Sequence, residues 1–447
     1  MSSKTIEAVN ETLPQLLGDG IKIGENGHLF IGDCDSVELA RTYGTPLFVY
    51  DEALLRSTIA SFHQAFRGTG ANYEITYASK AFCTIAMCQL AFQEGCAIDV
   101  VSGGELHTAL LAKVPPQSIH FHGNNKTEEE LVYAVEVNVG VIIVDNEWEL
   151  TLLNRIAKDK GKIVDILIRV SPGVSAHTHE FISTGQQDSK FGFDYESGQV
   201  NQVLHKILGC ENLRMIGVHA HIGSQIFEQK GFYMEIERLA KVYVEGLKAG
   251  LPLSIFNIGG GFGIRYTEED DPTPISTQIE GIVSFAKTEF AKYDLPLPVI
   301  WIEPGRSIVG SAGTTLYRVG SQKRIPNVRN YLAVDGGMTD NPRLALYGAK
   351  YEAMIANKGL SDEFETWSIA GKCCESGDVV IWDATLASPD ENDILAVFAT
   401  GAYNYSMASH YNRIPNPAVV FVKDGQAKVV VERETWSDVT RNDRPLA

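Results

Sequence analysis

Tyr73-Glu74-Ile75-Thr76-Tyr77-Ala78-Ser79-Lys80 is a strand-like run that ends in a lysine just where its apolar alternation ends. A lysine at the carboxyl end of a buried strand is costly as a bare cation, so its pKa tends to fall and its amine becomes nucleophilic. A Schiff-base lysine requires that property. The plain alternative is a lysine snorkelling from a strand end, and the rest of the chain must choose between them. Further strand candidates follow in order at 97–102, 118–123, 139–146, 163–172, 214–224, 254–261 and 298–306. Stretches of helical periodicity lie between them, such as 126–137 and 232–250. Strands alternating with helices over this length predict a (β/α)8 barrel of the TIM type. In that fold the chemistry sits at the carboxyl ends of the strands. Here those ends carry Lys80, Ser102 to Glu105, His122, Asn146, Ser171, His221, Ser224, Gly259 to Gly261, and Glu303 to Arg306.

A chain of 447 residues is long for one compact domain and suits a barrel with a smaller companion. No apolar run reaches membrane-spanning length. Glu7 and Glu11 near the start speak against a secretory or transit signal. A net charge of -18 argues against nucleic acid and anionic membrane as partners. The seven cysteines are odd in number, scattered, and form no zinc-type double pair. Free thiols in a reducing cytoplasm are the expectation.

Residues 1 to about 20 read as a loosely held leader, 28–32 as a strand and 37–43 as a short helix. Residues 45–50 then lead into a helix over about 52–66. After Arg306 the pattern changes to short strands at 315–319, 331–334, 367–370, 379–381, 394–399 and 419–422. The last of these continues through Asp424-Gly425 into Val429-Val430-Val431, a hairpin with a two-residue turn. We therefore expect an N-terminal segment 1–44, a barrel over 45–309, and a C-terminal all-β domain over 310–447. The strand near residue 30 should join the β-domain, so that the barrel is inserted in it.

Asn257-Ile258-Gly259-Gly260-Gly261-Phe262-Gly263 follows the seventh strand. Glycines let backbone N–H groups crowd around an anion. A dinucleotide fingerprint fails here, because Ile264 stands where its third glycine would be. The loops after strands seven and eight of a barrel are instead a common phosphate site. Glu303-Pro304-Gly305-Arg306 supplies a cation for the same anion. Glu303, reaching towards the barrel centre, is an expensive lone charge unless something cationic meets it. The protonated ring nitrogen of pyridoxal phosphate would do so, and an acid there makes the ring a strong electron sink. An ordinary ion pair with a barrel lysine is the alternative. The histidines fall in alternate pairs, His120/His122, His177/His179 and His219/His221, each able to clamp a metal from one face of a strand. A metal-dependent barrel hydrolase is thus a rival, though it would be expected to carry its pair where this chain has Tyr77 to Lys80. No metal is assigned.

Taken in order, the motifs resemble the diaminopimelate decarboxylases, within the alanine-racemase-like barrel class of pyridoxal-phosphate enzymes. The residues that carry the resemblance are Tyr77 to Ala81, Asp99 to Leu106, His122 to Lys126, Ser171-Pro172-Gly173, Ala176 to His179, and Lys190-Phe191-Gly192. They continue with His221 to Gln225, Gly259 to Gly261, Glu303 to Arg306, Arg343 to Tyr347, Cys374 to Asp378, and Gly401-Ala402-Tyr403. The resemblance implies that Lys80 carries the cofactor, that His221 stacks on its ring and that Glu303 meets its nitrogen. It implies that Ser224, Gly259, Gly260, Gly261, Arg306 and Tyr403 hold the phosphate, that Pro304 and Gly305 belong to the cofactor site, and that Asp99 and Glu105 support the lysine side. Cys374 would be the proton donor, reaching over from the other subunit of a homodimer with shared sites. Arg306, Arg343, Tyr347, Glu375 and Tyr403 would bind substrate. The implied reaction is conversion of meso-2,6-diaminoheptanedioate to L-lysine and carbon dioxide. The rivals are a decarboxylase of another basic amino acid, of ornithine or arginine type, and a binding paralogue without activity. Cys373 departs from the family pattern and leaves open which thiol is the more reactive.

Overall fold

In the computed structural model, which describes residues 7, 10–11, 20–174 and 189–446, parallel strands close into an eight-stranded barrel. Numbered in chain order, β1 (Ile21–Ile23), β2 (Leu29–Ile31), β3 (Cys34–Asp35) and β4 (Leu47–Asp51) precede it. The barrel is built of β5 (Tyr73–Ala78), β6 (Ala97–Val100), β7 (Ile119–Phe121), β8 (Val141–Val144), β9 (Val164–Ser171), β11 (Leu213–Ala220), β12 (Ile255–Asn257) and β13 (Val299–Ile302). Each strand pairs with its chain neighbour, and β13 closes on β5 with Ile302 beside Ile75. A short β10 (Phe193–Asp194), not among the expected strands, adds to β9.

Period-two alternation sorts the barrel interior into layers. One layer is apolar and includes Ile143, Leu167, Ile255 and Trp301. His120 joins it, its ring stacked on Trp301 at 4.4 Å and 10°. Two residues further along the same strands or just past their ends stand His122, Asp145, Arg169, Asn257 and Glu303, all buried and all polar. The site is therefore the next layer up, an outcome of strand geometry alone.

Helix starts explain several polar strand-end residues. Ser102 caps Gly103–Leu111, Thr127 and Glu130 form a capping box for Glu128–Val137, and Asn146 caps Glu147–Asp159. Ser102 and Asn146 thus satisfy helix N–H groups as well as lining the rim. The strands stop short of the expected ends. Lys80, the glycine run and Glu303 to Arg306 all stand in the turns that follow them.

A second unit is mostly sheet. Its strands β14 (Gly313–Ile325), β15 (Arg329–Val334), β16 (Ala353–Ile355), β17 (Phe364–Ala370), β18 (Val379–Ala387), β19 (Ile394–Val397), β20 (Ala418–Lys423) and β21 (Gln426–Val431) join β4 in one nine-stranded sheet. β4 lies between β14 and β20 and is buried along its whole length. The strand near residue 30 instead forms a three-stranded sheet, β1-β2-β3. Ile23, Leu29 and Ile31 pack from it against Leu47, Leu316 and Val420. The N-terminal part does enter the β-unit, but its contribution to the large sheet is β4, whose run of apolar residues suits a central strand. The compact units are 1–57 with 264–271 and 308–447, and 58–263 with 272–307. The expected limits at 44/45 and 309/310 remain a proposal about folding domains. The hairpin turns at Asp424 and Gly425, with φ of 50° and 74°. Among the described residues no helix is long and apolar enough to cross a membrane.

Candidate active site

The polar layer of the barrel centres on Glu303. Asn257 Nδ2 donates to its Oε1 at 2.7 Å. His219 Nε2 lies 3.2 Å from Oε2, and His122 Nε2 lies 2.9 Å from Oε1, off the line of an aligned hydrogen bond. Burial opposes the charge of Glu303, but His122 and His219 outweigh it and hold the carboxyl well below its ordinary range. Burial in turn lowers both imidazoles. Asp99, 3.9 Å from His122, is pushed up by burial.

The glycine run is held from both sides. Gly259 N donates to Asn257 Oδ1 at 2.8 Å, and Glu303 N donates to Gly259 O at 2.8 Å. At Gly260 a Cβ would lie 2.3 Å from Glu303 O, and at Gly261, with φ of 113°, 2.8 Å from Gly223 O. Side chains are excluded there by backbone, which keeps the loop narrow and open to a close approach. Gly260 N points to His221 Nδ1 at 3.3 Å, and Arg306 Nε donates to Ser224 Oγ at 2.9 Å. Burial, then the charges of Lys80 and Arg169, lower His221 well below its ordinary value. A neutral imidazole can lie flat against a planar ring.

Lys80 stands in the one-turn helix Ser79–Ala81, directly after β5. It is exposed, which overturns the expected burial, because β5 ends at Ala78 and the lysine projects past the rim. Its charge still acts on Asp99, Glu105, His219 and His221. Glu105 accepts from Val101 N at 2.7 Å and is raised by burial. Pro304 O accepts from Ala78 N at 3.2 Å, and a Cβ on Gly305 would meet Ala78 at 3.0 Å, so the turn after β13 is tied to the strand that delivers Lys80.

The barrel unit thus gathers Lys80, Asp99, Glu105, His221, Ser224, the three glycines and Glu303 to Arg306 at the strand ends. The other expected site residues belong to the β-unit. Arg343 is buried, bonded to Tyr351 OH at 2.7 Å, with its guanidinium 4.8 Å over Tyr266. Among the described residues no carboxylate pairs with it. Tyr347 and Tyr403 are half-buried, and Cys374 and Glu375 are exposed. Cys374 N donates to Asn412 Oδ1 at 2.8 Å. Cys373 is buried, and burial with Asp378 beside it pushes its thiol up to about 12.

Sequence reasoning left His122, His219 and Asn257 without a part around Glu303. The signal was available, since each stands two residues from an interior neighbour of the barrel. The grouping with metal-ligand types and spacing is His122, His219 and Glu303, from three strands rather than from one alternate pair. His177 and His179 lie outside the described residues, as does most of the 175–193 loop.

The family model described as pyridoxal-dependent decarboxylase, pyridoxal binding domain, matches residues 53–310. The diaminopimelate decarboxylase of Bacillus subtilis (strain 168) is 54% identical over 423 residues, covering 94% of this chain and 96% of its own. That of Staphylococcus aureus (strain COL) is 45% identical over 425 residues, covering 95% and 99%. The crystal structure of diaminopimelate decarboxylase from M. jannaschii with L-lysine matches with a TM-score of 0.89 at 35% identity, over 96% of this chain and 98% of that one. Glycine loop, buried carboxylate and strand-end lysine fall within the matched region, and the chain belongs to the diaminopimelate decarboxylase family of pyridoxal-dependent decarboxylases.

Proposed function

We propose that this protein converts meso-2,6-diaminoheptanedioate to L-lysine and carbon dioxide with pyridoxal 5'-phosphate, the last step in making lysine. The residues present suit that cofactor. Glu303 is a buried, ionised carboxylate, and the backbone at Gly259 to Gly261 is kept clear of side chains. When bound, the cofactor supplies an electron sink for the carbanion that remains as carbon dioxide leaves. Lys80 would carry the cofactor through its amine. The backbone of the glycine run, Ser224, Arg306 and Tyr403 would hold the phosphate. His221 would lie against the ring, Glu303 would meet the ring nitrogen and keep it charged, and Asp99 and Glu105 would support the lysine side. Pro304 and Gly305 shape the turn between them.

Substrate choice follows from its second amino-acid end, a carboxylate and an ammonium. Arg343 and Glu375 offer one opposite charge for each, and Arg306, Tyr347 and Tyr403 are the further substrate-binding residues of this reading. The observation that carries this choice is Arg343, a buried guanidinium with no carboxylate partner among the described residues. A buried charge without its counter-ion is costly, and a ligand carboxylate would remove that cost. An ornithine-type substrate has no distal carboxylate to offer. Cys374 gives the proton to the carbanion, at a site shared between the two chains of a homodimer. A cytoplasmic setting is supported by seven cysteines without a disulfide.

Turnover of the meso substrate, measured beside ornithine, arginine and the LL isomer, tests the reading. L-lysine and carbon dioxide from the meso compound alone are expected. Comparable kcat/KM with ornithine or arginine would replace this reading with the basic amino-acid one.

A further inference from the structure

Glu303 is surrounded by more N–H groups than a single cofactor contact requires. A carboxylate offers about four lone-pair positions. Asn257 donates to Oε1 at 2.7 Å, His219 Nε2 meets Oε2 at 3.2 Å, and His122 Nε2 stands 2.9 Å from Oε1 without the alignment of a hydrogen bond. One position on Oε2 is left. Both histidines are fully enclosed, and their rings meet edge to face at 5.0 Å. His122 comes from the end of β7 and His219 from within β11, on opposite sides of β13 in the barrel wall. The carboxylate is thereby gripped from two directions and cannot rotate without losing a donor.

From this arrangement we propose that His122 and His219 are positioning residues, which hold the Glu303 carboxylate from two sides and leave an open lone pair on Oε2 for a cationic ring N–H. The inference rests on the reading of Glu303 as the partner of the cofactor's ring nitrogen. Around the pair stand Asp99, Glu303, Arg169, Lys80 and His221, the charged and titratable groups that act on it. Burial dominates their influence and favours the uncharged rings. Each imidazole must then carry its proton on Nε2. In keeping with this, His219 Nδ1 has no hydrogen-bond partner among the described residues. With either donor gone, Glu303 is held by fewer N–H groups, becomes easier to protonate, and grips the ring nitrogen less.

The test compares binding of pyridoxal phosphate with binding of its 1-deaza analogue, in which C–H replaces the ring nitrogen, to the cofactor-free protein. The wild type should prefer pyridoxal phosphate. His219→Leu should cut that preference by about tenfold, the worth of one hydrogen bond to a charged group, and His122→Leu should cut it by less. His219→Gln, which keeps an N–H donor, should retain most of it. In the reconstituted enzymes kcat should fall while KM for the amino acid holds. Leucine variants that keep the full preference overturn the proposal while leaving the reading of Glu303 intact. A wild type with no preference overturns both. Should the leucine variants not fold, nitrogen NMR of histidine-labelled wild-type protein decides. Rings that carry a proton on Nε2 at pH 7 are expected, and an unprotonated Nε2 at either position refutes the pair.

Discussion

Cys373 and Cys374 are adjacent, yet their surroundings separate them as candidate acids. Cys373 is buried with its thiol pushed up to about 12, so its proton is both enclosed and tightly held. Cys374 is exposed and able to meet a substrate. Cys374→Ala should slow kcat by roughly 10²–10⁴, the usual worth of a positioned general acid, with cofactor binding intact. Cys373→Ala should act on stability and leave kcat near wild type. Single-turnover kinetics beside thermal melts will show whether the roles are instead exchanged. Arg343 presents the opposite case, a buried cation rather than an exposed acid. Arg343→Ala should lower kcat/KM for the meso substrate by about tenfold or more, from a charge-assisted contact of about 1.5–3 kcal/mol. Arg343→Lys should recover only part, because an ammonium cannot copy the planar fork. The Arg343 contacts to Tyr266 and Tyr351 lie within the β-unit, so some loss of melting temperature accompanies the change. A loss of cofactor affinity as large as the loss of kcat/KM would mean that Arg343 is structural.

Two loops show how elements are held for this chemistry. Lys126, in the loop between β7 and the helix Glu128–Val137, is fully buried with Glu149 at 2.7 Å. Its ammonium also donates to Gly123 O at 2.9 Å and Ile143 O at 2.8 Å, so it fixes the loop that carries His122 to the end of β8. Removing one partner strands the other charge. Lys126→Met or Glu149→Leu alone should cost about 3–5 kcal/mol, while the double variant should cost far less. Chemical denaturation of all three checks this, and additive losses would contradict it. In the loop before the helix Arg343–Tyr347, Asp340 accepts from Gly337 N at 3.0 Å and from Tyr317 OH. Burial raises its carboxyl to about 7, from an ordinary value near 3.8. The folded state then binds this proton more tightly than the unfolded chain. Its contribution is present below about pH 4 and is lost as pH rises from about 4 to 7. Between pH 5 and pH 8 the melting temperature of Asp340→Asn should therefore gain on that of the wild type, with at most about 4 kcal/mol at stake. A constant gap would mean that Asp340 is already ionised at pH 5. The same elements were unevenly legible. Asp424-Gly425 announces a turn needing two positive φ values, and the hairpin is there. β1, β3, β10 and β16 are two or three residues long and carry too little periodicity to be read.

At the scale of the whole molecule, the proposed catalytic groups divide between the two units. Lys80 and Glu303 belong to the barrel unit, Cys374 and Arg343 to the β-unit. A homodimer with sites made by both chains follows if the β-unit residues serve the partner's barrel, and closed two-fold dimers are the commonest assembly. Mixing inactive Lys80→Ala and Cys374→Ala chains should then restore some activity, because one of the two sites in a mixed dimer carries neither change. No recovery, with subunit exchange proven by mass spectrometry, would mean that each site is built within one chain. Separation along the chain also explains why the site was easier to find than to assemble. Lys80, the glycine run and Glu303-Pro304-Gly305-Arg306 stand out because each follows a strand-like run in a barrel pattern. Residues that act by meeting one another from different strands leave no such mark.

Local periodicity, by itself, determined the barrel, the β-rich second part, the turn at Asp424-Gly425 and the strand-end positions of the chemistry-bearing residues. Alternation and turn propensity act over a few residues and are written in any short window. Only the tertiary structure decided that β4, and not the strand near residue 30, enters the large sheet, since strand pairing is settled by which faces can be buried together. It likewise decided that Lys80 stands exposed past the rim, that Lys126 is enclosed with Glu149, and that His122, His219 and Asn257 converge on Glu303. Charge and burial at those positions are set by neighbours tens to hundreds of residues away, brought within 3 or 4 Å by closure of the barrel.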